Sequence, residues 1–225
     1  MRRVFIAAIL LCFLGLPMEA REEKSCVALT FDDGPSGKYT ERLLEGLAQR
    51  NVKATFLLCG YRMEDYPELT NRIYLGGHEI GYHGYSHDNM GTMSRRRIAE
   101  ELEKTGMLLP EGCEPVFLRP PGGEISDGVR QVASVRLLGL LKWSVDPKDW
   151  ALKDPALVTK RVLSQVKDGD VILMHDMSDS SVTAALDIVD QLRHRGYEFL
   201  TVSELAEKRG VRIRPGETYS RFPQP

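Results

Sequence analysis

The chain has 225 residues, 42% hydrophobic and 28% charged, enough apolar surface to close a sizeable core, which excludes disorder and fibrous repeats as its main state. Thirty basic residues against thirty-two acidic ones leave a formal charge of −2. No basic stripe supplies the phosphate-neutralising term that nucleic-acid binding requires, so nucleic acid is not expected as a partner.

At the start of the chain, Arg2 and Arg3 precede thirteen apolar residues, 4–16, too few to cross a bilayer as a helix but suited to the apolar stretch of a secretory signal. Pro17 breaks that run and Ala20 offers a small residue before a cut, with Met18 an imperfect partner for it. Residues 1–20 therefore read as a signal peptide that exports the protein to the envelope or medium, with an uncleaved membrane anchor as the alternative. Cys12 leaves with the signal, and Cys26, Cys59 and Cys113 remain. An odd set permits at most one disulfide, and buried reduced cysteines are the favoured reading.

Beyond residue 24, short β-rich runs alternate with stretches of helical spacing. Strands are predicted at 26–31, 53–59, 79–82, 116–118, 140–145, 171–174 and 198–202. Helical spacing over 40–50 puts Leu43, Leu44 and Leu47 on one face, and 94–108 carries Ile98, Leu102 and Leu109 inward behind a Ser94 cap. Asp154-Pro155 starts a further helix, which Asp168-Gly169 ends. Strands separated by helices imply parallel pairing through crossovers, hence an α/β sheet or an incomplete barrel. No linker divides the chain, so one domain is expected over 25–210, followed by a polar tail, 211–225, running along the surface.

In such folds sites gather at the carboxyl ends of the strands. The polar residues follow that rule: Asp32-Asp33-Gly34-Pro35 after the first strand, His83 and His87 after the third, Arg119 after the fourth, Asp146 and Asp149 after the fifth, His175-Asp176 after the sixth. Alone, the Asp-Asp-Gly-Pro run suits a tight turn. Adjacent acids leave a strand end in different directions, however, so one can bind a metal while the other faces its water. Two histidines at i and i+4 with a carboxylate from another strand end would form a facial triad with open positions, suited to Zn²⁺ or another divalent transition metal in hydrolysis.

Five ordered motifs carry a resemblance to a known family: Thr30-Phe31-Asp32-Asp33-Gly34-Pro35, His83-x-x-x-His87, Arg119-Pro120-Pro121-Gly122-Gly123, Asp146-Pro147-Lys148-Asp149-Trp150 and Leu173-Met174-His175. They resemble those of the polysaccharide deacetylases, the NodB-homology family 4 carbohydrate esterases, over residues 25–205. The resemblance implies an α/β fold, a distorted (β/α) barrel of about seven parallel strands with surrounding helices. It also implies removal of acetyl groups from N-acetylated sugars of peptidoglycan, chitin-like polymers or xylan.

By the same resemblance Asp33, His83 and His87 are the ligands of one divalent metal, zinc first with cobalt or nickel as alternatives, and Asp32 is the base for metal-bound water. His175 is the general acid, oriented by Asp146 or Asp149, and Arg119 fixes the base. The oxyanion faces the backbone N–H after Pro121, that of Gly122, while Trp150 and Leu173 wall the acetyl methyl group. Two departures from the family pattern bear on this. Gly84 replaces the usual Ser or Thr after the first histidine, which predicts a missing hydrogen bond behind the metal ligands. Gly122 replaces a frequent aromatic residue, which predicts altered sugar recognition. His78 is expected to be structural and His194 solvated. The leading expectation is a secreted, metal-dependent N-deacetylase of a cell-wall or chitin-like glycan. The alternative is a glycan-binding protein retaining the fold, against which Asp32 and His175 argue, because binding needs neither a base nor an acid.

Overall fold

The computed structural model describes residues 24–224; the expected signal peptide lies outside them. Among the described residues eight strands, all paired in parallel, form one curled sheet: β1 (Cys26–Asp32), β2 (Thr55–Leu58), β3 (Glu79–Tyr82), β4 (Phe117–Leu118), β5 (Gly139–Leu141), β6 (Val171–His175), β7 (Glu198–Leu200) and β8 (Thr218–Tyr219). Their order is β6-β1-β2-β3-β4-β5-β8, with β7 joining the first half of β1. All seven residues of β1 are buried, as a run of Val, Leu and Phe flanked by strands on both sides requires.

The helices α1 (Lys38–Gln49), α2 (Gly60–Asp65), α3 (Pro67–Leu75), α4 (Arg95–Gly106), α5 (Asp127–Val135), α6 (Pro155–Gln165), α7 (Asp179–His194) and α8 (Val202–Lys208) supply the crossovers. Local chemistry sets several of their starts. Ser94 caps α4, Asp154 caps α6 ahead of Pro155, and Thr201 with Glu204 forms a reciprocal capping box on α8. Leu43 and Leu47 of α1 are fully buried in the core that contains Phe31 and Phe56, whose rings stack at 5.2 Å.

Two elements differ from the sequence expectation. The strand predicted over 140–145 breaks after Leu141, and Val145 crosses to β6, where Leu173 N–H donates to the Val145 carbonyl at 2.9 Å. This bridge closes the curl, and it turns residues 142–144 out of the ladder, where Arg119 takes the Lys142 carbonyl at 2.9 Å. The tail does not simply follow the surface. Thr218 pairs with Leu140, and Phe222, 1% exposed, stacks on Tyr219 at 5.7 Å within a cluster that includes Phe117 and Leu141. Four apolar side chains, Val211, Ile213, Tyr219 and Phe222, hidden among charges, dock the segment.

Candidate active site

The carboxyl ends of β1, β3, β4 and β6, with the segment after β5, meet around one cavity of about 440 Å³. Asp33 lies just past β1, and its Oδ1 is 2.9 Å from His87 Nε2 and 3.2 Å from His83 Nε2. One potential ligand atom from each of the three lies within 4.8 Å of the others. Asp33 and His87 both adopt left-handed backbone, φ 74° and 62°, a cost of order 1–3 kcal/mol each that marks an over-determined arrangement. Asp33 Oδ1 is buried without a well-aligned hydrogen bond. Burial opposes its charge, yet the two facing imidazoles hold the carboxyl well below the usual range. A carboxylate and two imidazole nitrogens converging on one point are the donor set of a divalent transition-metal centre, so the residues fit the ion.

Behind this set, His83 Nδ1 donates to the Arg119 carbonyl at 2.6 Å, which makes Nδ1 a protonated nitrogen and turns Nε2 toward Asp33. The hydrogen bond expected to be lost through Gly84 is thus supplied to His83 from β4. Gly84 itself is demanded by its surroundings, because its φ is 83° and a Cβ there would stand 2.7 Å from Met90 Cε.

Asp32, 3% exposed, is held by Arg119, whose Nη1 donates to its Oδ1 at 2.5 Å and to Thr30 Oγ1 at 2.9 Å. Arg119 is fully buried, spanning from β1 to the Lys142 carbonyl with its guanidinium 5.6 Å from the Trp143 ring centre. On β6, beside Asp32 in register, His175 donates to Asp149 through both its Nδ1–H and its backbone N–H, at 2.9 Å each. Burial opposes a charge on His175, but the hydrogen bond and negative charge of Asp149, with Asp32 and Asp33 beyond, raise its pKa to about 9.

Of the two acids that could orient His175, the structure selects Asp149. Asp146 is corrected from that role: its Oδ1 accepts the Lys148 N–H at 2.8 Å, an Asx turn that shapes the loop, and its side chain lines the cavity. Gly122, left-handed at φ 67° with open space where a Cβ would stand, lines the cavity, while Pro121 is buried in the same turn. Leu173, 4% exposed, and Trp150, 67% exposed, are further walls.

Sequence reasoning missed Trp143, which lines the cavity from inside a stretch read as strand; the strand break that exposes it leaves no local signal. It also gave Asp176 no role. That carboxyl is fully buried, pushed up to about 6 by burial, accepts from the Thr40 hydroxyl and sits where a Cβ on Gly34 would be, 2.6 Å from its Oδ1. His78 is buried and His194 exposed, as expected, and Cys26, Cys59 and Cys113 are free thiols. Among the described residues no helix is long and apolar enough to cross a membrane.

Comparison with known proteins agrees with this geometry. The polysaccharide deacetylase family model matches residues 19–138. A peptidoglycan-N-acetylglucosamine deacetylase of Listeria monocytogenes, PgdA, is 35% identical over 195 residues, covering 86% of this chain and 41% of that protein. The chain thus spans about two fifths of the length of that relative. A Bacillus cereus peptidoglycan-N-acetylglucosamine deacetylase is 34% identical over 193 residues and matched over 91% of its length. Among solved structures, a family 4 acetyl xylan esterase from Clostridium thermocellum in complex with a cobalt ion superposes with a TM-score of 0.82 at 34% identity, covering 88% of this chain and 99% of that one. With five motifs on one rim of a curled parallel barrel and more than half of its length matched by the family model, the chain belongs to the polysaccharide deacetylase family.

Proposed function

We propose that the chain is a metal-dependent hydrolase that removes N-acetyl groups from an amino-sugar polymer outside the cytoplasm, peptidoglycan before a chitin-like glycan. One observation carries this reading: a metal-type donor set, a carboxylate clamped by a buried arginine and a carboxylate-backed histidine line one cavity together. The relatives named for peptidoglycan and the basic-then-apolar start of the chain support the substrate and the location.

Asp33, His83 and His87 would hold a divalent ion, zinc the first candidate, which when bound would supply polarisation of the acetyl carbonyl and a lowered pKa for water. Asp32 then takes a proton from the attacking water. Its bond to Arg119 fixes the direction of the carboxylate, since a charge-assisted contact in a buried site costs several kcal/mol to break. The oxyanion faces the Gly122 N–H, an arrangement that a left-handed glycine in an open wall permits. His175 donates through Nε2 to the departing sugar nitrogen, because Asp149 occupies Nδ1. Leu173, Trp143 and Trp150 supply apolar surface for the acetyl methyl group and sugar face.

Acetate release from N-acetylated oligosaccharides of peptidoglycan and of chitin tests this. Activity should vanish with a chelator and return with zinc or cobalt. Undiminished activity in metal-stripped protein, or no acetate from any such glycan, rejects the reading.

A further inference from the structure

His87 lies on a segment, residues 84–87, that belongs to no helix or strand and turns left-handed at both ends, at Gly84 (φ 83°) and at His87 (φ 62°). Such a segment cannot satisfy its own backbone groups, so its hydrogen bonds must come from elsewhere. The carbonyls of Gly84 and Tyr85 accept from the first amides of α2, Gly60 N–H at 2.9 Å and Tyr61 N–H at 3.0 Å. Its amides turn the other way. One oxygen of Glu101, Oε2, accepts from Tyr85 N–H at 2.8 Å and Ser86 N–H at 2.7 Å, while the Ser86 hydroxyl, 3.0 Å away, has a nearer acceptor in Asp88 Oδ2 at 2.8 Å.

Glu101 sits in the middle of α4 and is 1% exposed, an unusual place for a carboxylate unless its bonds are needed. Its other oxygen lies 2.9 Å from Arg97, one turn earlier on the same helix. The loop therefore hangs between α2 and α4. We infer that Glu101 is a positioning residue of the metal centre: it clamps the 85–86 backbone and so fixes where His87 Nε2 points. The inference rests on the reading of Asp33, His83 and His87 as metal ligands. It assigns to reach and acceptor geometry, rather than to charge, the work done by a side chain that never touches the ion.

Two variants separate reach from charge. Glu101→Gln keeps an acceptor oxygen at the same distance and loses the charge and with it the Arg97 contact, whereas Glu101→Asp keeps the charge and falls one carbon–carbon bond short. The measurement is Co²⁺ affinity of the metal-free protein by competition with a chelator, together with the visible absorption of the cobalt-loaded form. Wild type should bind one Co²⁺. Glu101→Asp should bind it about 10- to 100-fold more weakly with a changed spectrum, and Glu101→Gln should stay within about 3-fold with an unchanged one. Equal affinity and spectra in all three, with only the melting temperature lowered, would overturn the inference and leave the metal reading intact. Gln weaker than Asp would overturn it in favour of a charge effect. Wild type that binds no Co²⁺ would sink the metal reading and this inference with it. If Glu101→Asp does not fold, amide exchange in wild type decides: Tyr85 and Ser86 N–H protected, and more so with Co²⁺ bound, uphold the clamp, and free exchange of both refutes it.

Discussion

At the scale of single residues the proposed chemistry is shared between two groups that stand side by side on β1 and β6. Asp32, backed by Arg119, and His175, backed by Asp149, each present one proton-transfer atom, and neither is among the three clustered donors Asp33, His83 and His87. Asp32→Asn and His175→Ala should therefore each lower kcat by about 10²- to 10⁴-fold while the metal content measured on purified protein stays near one per chain. The two should differ on an activated acetyl ester, whose leaving group departs without full protonation. There His175→Ala should lose much less activity than on the N-acetyl sugar, and equal losses on both substrates would take the acid role away from His175. Asp149→Asn should behave like His175→Ala rather than like Asp32→Asn, because it leaves the imidazole in the wrong orientation and tautomer.

At the scale of elements, β8 and the chain after it are the part whose contribution is least visible in composition. Phe222 is buried against Tyr219, its N–H donates to the Gly169 carbonyl at 2.7 Å and it packs below the start of β6, at the rim opposite the cavity. Phe222→Ala should cost about 3–5 kcal/mol in denaturant unfolding, the usual loss for a buried aromatic side chain. Because the site lies at the other ends of the strands, kcat of the variant should match wild type at temperatures where it is folded. A clear fall in kcat in folded protein would mean that β8 transmits to the catalytic rim.

For the whole molecule, the two rims of the barrel differ in what they hold: the clustered polar residues of the proposed site at the carboxyl ends, structural closure at the amino ends. His78 belongs to the second. It precedes β3, accepts the Ala54 N–H on Nδ1 at 3.1 Å and meets Phe56 edge-on at 5.3 Å. Burial, with Lys53 adding repulsion, lowers its pKa from 6.5 to about 4. A buried imidazole that must stay neutral gives stability that is complete above the unfolded pKa and is lost as pH falls from 6.5 towards 4, since only the unfolded chain takes up the proton in that window. The loss amounts to about 3 kcal/mol. Asp176 acts in the opposite sense, its carboxyl raised from 3.8 to about 6 by burial, so the effect is read as a difference between wild type and His78→Gln. That difference in unfolding free energy should shift against wild type between pH 6.5 and 4, and a flat difference would refute the assignment.

The sequence by itself determined the alternation of elements and the residues that stand at strand ends, because both depend on local pattern: apolar runs, caps such as Ser94 and Asp154, and turns such as Asp-Asp-Gly-Pro. It therefore determined which side chains could reach a common rim. The tertiary structure alone decided how they pair. Asp149 rather than Asp146 meets His175 across 26 positions of chain, and Arg119 reaches Asp32 across 87. The Arg119 carbonyl, not a neighbour of His83, fixes its tautomer from 36 positions away. Glu101 looked like any charged helix residue until α4 packed it against the 85–86 backbone. Trp143 reached the cavity only because Val145 left β5 for β6. Periodicity reports which face of an element is apolar, whereas these contacts depend on register and curl, which are set only when distant strands close on one another.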